Sequence, residues 1–278
     1  MYLSNLQQDN LYLPNEMVAL DLLTGYPSRK GLENAILSNG KIVNVVSKSY
    51  GHLSNRLFFE KAENMLIEAG LSFQRRSINR NDRSFVLDLI IEDQNQFRVK
   101  NENDQILPML RFTNSYDGSE NTTGHFGFFR KVCSNGLHVA DTSIAFSVRH
   151  TRNNTELVVP KMSDLFEKFI ENEYYSVVSK FRKLQSIKLL DTRQFVKDIV
   201  EHLNLFRYEC SDKNPEPSKK SREVLDILSQ ESKLFNEEPN FWLGYNALNH
   251  VLHTRLKKSF QQQKRLDQKL FNTVLEMV

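Results

Sequence analysis

Apolar positions recur at helical spacing from Asn55 to Ala69, where Leu57, Phe58, Ala62, Met65, Leu66 and Ala69 share a side, Ser54 or Asn55 supplies a cap and Gly70 an end. The period then shortens. Leu71–Gln74 leads into an arginine-rich stretch, and Ser84–Glu92 carries Phe85, Val86, Leu87, Leu89, Ile90 and Ile91, so the pattern predicts an Arg-rich β-hairpin. Ile106–Tyr116 opens a three-strand meander that ends near His150. Its turns are Asp117-Gly118 and Asn135-Gly136, dipeptides that tolerate positive φ and close antiparallel strands. Before all this, Met1 to about Asn44 mixes short apolar groups with Pro14, Gly25, Pro27, Gly31 and Gly40, which predicts short strands or turns.

After Pro160 the helical period returns. Ser163 caps a long helix through Phe166, Phe169, Ile170, Val177, Phe181 and Leu184 that reaches Ile187, and Thr192 opens another carrying Phe195, Val196, Ile199, Val200 and Leu203. The run CSDKNPEPSKKS breaks the pattern with proline and charge and reads as an exposed linker near 209–221. Three further helices follow: Arg222 to Gln230, one from Pro239 through Trp242, Tyr245, Leu248, Val251 and Leu252, and a last one carrying Leu266, Leu270, Phe271, Val274 and Leu275. The expected class is α+β, with an antiparallel sheet packed by helices over 1–160 and a helical portion over 161–278.

Composition changes this picture little. The 278 residues are enough for a core without disulfides, and the two cysteines, Cys133 and Cys210, lack CxxC spacing. With no apolar run of the roughly 18 residues a membrane helix needs, and no signal-peptide pattern at Met1–Asn5, a cytoplasmic protein with no membrane partner is expected. The net charge of +3 is mild, so its distribution carries more information than its sum. In RRSINRNDR, Arg75, Arg76, Arg80 and Arg83 face Asp82 alone; Phe128-Phe129-Arg130-Lys131 sets two rings beside two cations; and Arg255, Lys257, Lys258, Lys264, Arg265 and Lys269 face only Asp267.

These clusters suit single-stranded nucleic acid: guanidinium groups meet phosphates, and rings such as Tyr116, Phe128 and Phe129 stack on bases. The candidate contacts are Arg75, Arg76, Arg80, Arg83, Arg111, Tyr116, Arg130 and Lys131. Against this stands a plainer reading, in which the arginines are a solvated turn and the rings are core. Other chemistry finds less support. Asn114, Asp117 and Ser119 read as turn residues rather than cation ligands, and Cys133 as a small buried hydrophobe rather than a nucleophile beside His125 or His138. Asp88, Glu92 and Asp93 do not share a strand face, and no Walker or GxGxxG loop is present. No cofactor and no metal are expected, and catalysis is not; the enzymatic alternative would use Asp117, His125 and Cys133 with a metal.

LRFTNSYDGS, FRKVCSNGL and FWLGYNALNHVLHTR resemble, in order and spacing, the phage- and plasmid-borne domain-of-unknown-function family nine-three-two, from about Asn44 onward. The matching positions are Asn114, Ser115, Asp117, Gly118 and Ser119; Arg130, Val132, Cys133, Asn135 and Gly136; and Trp242, Tyr245, Asn246 and His250. The resemblance implies a mobile-element protein found among genes of DNA metabolism, with no agreed activity. A fold-level similarity to phage single-strand annealing proteins implies strand annealing in recombination or replication, by a homo-oligomer in which weak contacts add. The alternative is an interaction module that inhibits or redirects a host protein. Trp242, Tyr245 and Asn246 are expected to anchor their helix to the sheet domain.

Overall fold

A computed structural model describes residues 10–80, 82–92, 104, 106–130, 136–137, 145–170, 175–211 and 214–278. The expectations for Lys131, Val132, Cys133, Asn135 and His138 lie outside the described residues. Helices and antiparallel strands combine in an α+β fold that gathers into two compact units. The first comprises Met1–Glu92, Met109–Phe126 and Thr142–Asn172; the second comprises Asp93–Pro108, Gly127–Asp141 and Glu173–Val278.

The first unit opens with β1 (Asn15–Ala19), a short α1 (Leu20–Thr24), β2 (Asn34–Ser38) and β3 (Lys41–Val46), in the sheet order β1-β2-β3. Asn39 and Gly40, with φ of 49° and 74°, close the β2–β3 turn, because this dipeptide accepts the left-handed backbone such a turn requires. α2 (Asn55–Glu68) follows, one residue shorter than its apolar period suggests. β4 (Phe73–Arg80) and β5 (Ser84–Ile91) then pair antiparallel from Phe73↔Ile91 to Arg80↔Ser84, which is the expected hairpin. β6 (Ile106–Ser115) lies beside β5, and β7 (Thr122–Arg130) beside β6. Past β8 (Gly136–Leu137), β9 (Ala145–Val148) pairs with β7, and α3 (Val158–Ile170) completes the unit.

Side-chain alternation divides this sheet into two faces. Phe85, Leu87 and Leu89 pair with Asn114, Phe112 and Leu110 on the face that α2 covers, where Phe58 meets Phe112 edge-on at 5.8 Å. All eight residues of β5 are buried, so both of its faces are covered, and its apolar runs Phe85–Leu87 and Leu89–Ile91, parted by Asp88, follow that demand rather than a strict alternation.

In the second unit, β8 pairs with Phe128 and Phe129 of β7. α4 (Tyr175–Ser186), α5 (Thr192–His202), β10 (Glu209–Ser211), β11 (Asn214–Pro217), α6 (Lys219–Phe235), α7 (Phe241–Arg255) and α8 (Phe260–Glu276) make up the rest. α7 is the central helix: Trp242 to Asn249 are all buried. Phe181 of α4 meets Trp242 at 4.7 Å, Phe128 at 5.1 Å and Phe271 of α8 at 5.5 Å. The stretch 209–221, expected as a linker, holds the β10–β11 hairpin and the start of α6. Its order comes from Ser218, whose hydroxyl caps α6 at Ser221 N and donates to Arg207 O at 2.8 Å.

Candidate nucleic-acid interface

β4 is an edge strand, and alternation separates its arginines. Arg75 shares a face with Leu89 and so turns toward α2. Its Nε lies 2.6 Å from Glu63 Oε1, the carboxylate that also accepts 2.9 Å from Tyr12 Oη, and its guanidinium sits 5.0 Å from the centre of the Tyr12 ring. Burial pushes the Glu63 carboxyl above its ordinary range, and the Arg75 charge opposes that shift. Arg75 therefore fastens β4 to α2 rather than facing a strand of nucleic acid.

Arg76 and Arg80 lie on the opposite face, in register with Asp88 and Ser84. Asp88 is in turn opposite Arg111, which grips it with both prongs: Nε donates to Oδ1 at 2.5 Å and Nη2 to Oδ2 at 2.6 Å. One carboxylate thus stands between two guanidinium groups, Arg111 buried and Arg76 half-buried. Burial pulls the Arg76 pKa down, while Asp88 raises it and Arg111 lowers it further; Arg80 shifts down for the same leading reason, with Glu120 opposing. Thr113 and Thr123 extend this face across β6 and β7 with their hydroxyls 2.5 Å apart.

The β4–β5 turn completes the margin. Asn79 Nδ2 donates to Asp82 Oδ1 at 2.6 Å, and Asp82 N donates to Asn79 Oδ1 at 2.8 Å. The acid of RRSINRNDR is therefore taken up in shaping its own turn, where Asp82 adopts a φ of 56°. Arg83 is exposed and makes no ion pair among the described residues.

The remaining candidates have other surroundings. The Tyr116 ring is buried against Phe85 at 4.8 Å, and its hydroxyl accepts from Asn55 N, so it offers no surface to a base. Arg130 is fully buried in the second unit. It donates to both oxygens of Asp104 at 2.6 and 2.8 Å and to Glu231 Oε2 at 2.7 Å, between the rings of Phe235 and Trp242. Its local sequence, beside Lys131 and two phenylalanines, suggests a surface cation; the partners that bury it lie 26 and 101 positions away along the chain.

Most of the described family-motif residues make hydrogen bonds or turns within their own unit. Asn114 donates to Leu53 O at 2.9 Å and Asn55 Oδ1 at 2.8 Å and accepts from Thr122 Oγ1 at 3.1 Å; Ser115 Oγ donates to Glu120 O. Asp117 accepts from Ser119 N at 2.9 Å, and Gly118 takes a φ of 70°, the turn geometry expected for them. On α7, Trp242 Nε1 donates to Asp104 Oδ2 at 2.8 Å, Tyr245 Oη to Asp267 Oδ1 at 2.7 Å and Asn246 Nδ2 to Trp242 O at 2.7 Å. Asp104, Glu231, Asp267 and Glu63 are the key residues that sequence reasoning missed, since an isolated acid carries no local mark of burial. His250 is half-buried, and burial lowers its pKa.

Among the described residues no three His, Cys, Asp or Glu side chains are grouped to hold a metal ion, and no helix is long and apolar enough to cross a membrane. His125 is buried within β7, while Asp117 belongs to the exposed turn before it. The family described as Domain of unknown function (DUF932) matches residues 42–271, and the chain belongs to that family. Comparison with curated proteins and with solved structures gives no match.

Proposed function

We propose that this member of the DUF932 family binds single-stranded nucleic acid through the phosphate backbone, along the edge formed by Arg76, Arg80 and Arg83. The observation that carries the reading is the placing of Arg76, Arg80 and Arg83 along one edge strand and its turn, where Asp82 is held by Asn79 and so does not neutralise Arg83. Guanidinium groups suit phosphate because their fork matches two oxygens at once. With Tyr116 and Phe128 buried, affinity comes from charge rather than stacking, and sequence preference is weak. The mobile-element setting implied by the family resemblance, in a host cytoplasm, gives such binding a use in recombination or replication. Annealing would follow from many copies lying along one strand.

Three phosphate contacts predict a slope of about −2 for log affinity against log salt on single strands. Fluorescence anisotropy of a labelled single-stranded oligonucleotide measures it. Binding that weakens with this slope and disappears in the Arg76→Ala, Arg80→Ala, Arg83→Ala variant supports the proposal; equal affinity in the variant, or none at low salt in the unsubstituted chain, removes it.

A protein-facing role has its own observation. α1 buries none of its residues, and Leu22 and Tyr26 are 79% and 76% exposed. Isolated exposed apolar residues are ordinary, but several on one short segment mark a contact surface. A host protein held through Leu22 and Tyr26 would remain bound after nuclease treatment and be lost from the Leu22→Asp, Tyr26→Ala variant.

A further inference from the structure

A cavity of about 490 Å3 opens in the second unit beside α6, within the size range of small-ligand sites. Arg222, Asp226, Ser229 and Lys233 all line it, and their spacing of four, three and four residues sets them on one stripe of the helix. The neighbouring stripe, Val224, Leu228, Glu231 and Phe235, is the buried one. The wall that α6 gives the cavity thus carries charged and hydroxyl side chains beside Leu225 and Leu228. Arg193, from the first turn of α5, and Glu216 and Pro217 of β11 also line it.

The three cations make no ion pair among the described residues. Asp226, four positions after Arg222, is not within ion-pair distance of it, although that spacing commonly brings such a pair together. A second cavity of about 550 Å3 adjoins the first and shares Arg222 and Asp226 with it; there the contrast is direct, because Glu223 accepts from Arg255 Nε and Nη2 at 2.6 Å. Arg255 is satisfied by a carboxylate of the protein. Arg193, Arg222 and Lys233 are not.

We propose that this cavity binds a phosphorylated sugar of nucleotide size. Arg193, Arg222 and Lys233 receive the phosphate, whose oxygens accept from several donors at once. Asp226 and Glu216 accept from sugar hydroxyls, and Leu225 and Pro217 supply the limited apolar contact that a furanose ring needs. Nothing in this assignment depends on the β4 edge, which belongs to the other unit.

Isothermal titration of the full chain with AMP, ribose 5-phosphate and adenosine tests it. Both phosphorylated probes should bind and adenosine should not. Arg193→Ala and Arg222→Ala should each weaken AMP by about tenfold or more, as expected for a lost charge-assisted contact, with the urea midpoint unchanged because neither side chain is paired in the fold. Lys233→Gln provides a third variant should either arginine substitution disturb folding. Absence of binding by AMP at millimolar concentration overturns the proposal. So does binding that survives all three substitutions, or that vanishes instead in the Arg76, Arg80, Arg83 variant.

Discussion

Arg75 and Arg76 are adjacent in the chain and opposite in consequence. Alternation along β4 turns the first toward Glu63 and Tyr12 and the second toward Asp88 and the margin of the sheet. Arg75→Ala should lower the urea unfolding free energy by about 1–3 kcal/mol, since Glu63 is left buried without its cation, and should leave oligonucleotide affinity unchanged. Arg83→Ala should do the reverse, staying within about 0.5 kcal/mol in stability while weakening binding. A larger penalty belongs to Arg130. Its removal leaves Asp104 and Glu231 buried without their counter-charge, and burial already pushes the Glu231 carboxyl upward. Arg130→Ala should cost about 3–5 kcal/mol, read as a fall in denaturant midpoint. That β4 splits its arginines between faces was legible from period two alone. Which carboxylate holds Arg75 was not, because Glu63 comes from α2, and the partners of Arg130, Asp104 and Glu231, likewise come from distant parts of the chain.

At the scale of elements, local signals did well where one rule governed. α2, the β4–β5 hairpin and the Asp117-Gly118 turn follow from apolar period and turn chemistry. Asn39-Gly40 carried the same turn signal as Asn135-Gly136 and makes the β2–β3 connection, although its flanking strands are short and weakly alternating. The helix expected from Ser163 to Ile187 corresponds to α3 and α4, with 171–174 outside the described residues. α3 begins earlier, at Val158, because Pro160 falls within the first turn, where its missing N–H is no loss. The polar stripe of α6 was readable from Arg222, Asp226, Ser229 and Lys233. Its meaning was not, since a solvated face and a ligand wall share the same spacing. Helix ends offer a direct check: Ser259 caps α8 in a reciprocal arrangement with Gln262, and Ser259→Ala should lower stability by about 1 kcal/mol without altering either binding activity.

For the molecule as a whole, acid sensitivity follows from two histidines of the first unit. His52 bonds Asn15 Oδ1 through Nε2 at 2.9 Å, and His150 stacks on Tyr50 with ring centres 5.3 Å apart while its Nδ1 lies 3.3 Å from Gly51 O. Burial lowers both pKa values, and each would repel the other's charge; His52 is brought down to about 4. The unfolded chain, with a histidine near 6.5, therefore binds protons before the folded one does. Stability from this source is complete above about pH 6.5 and is lost as the pH falls toward 4. At pH 5, His52 alone accounts for a loss on the order of 2 kcal/mol. Glu63 and Glu231, whose folded pKa values are raised, work in the opposite direction. The interval from pH 7 to 5.5 covers the upper part of the histidine window, and substitution of one histidine separates its share. Urea midpoints measured across it should fall for the unsubstituted chain and fall less steeply for His52→Gln, whose amide retains a donor toward Asn15. A midpoint that stays level in the unsubstituted chain would mean that the pair takes up protons in the fold as readily as in the unfolded chain.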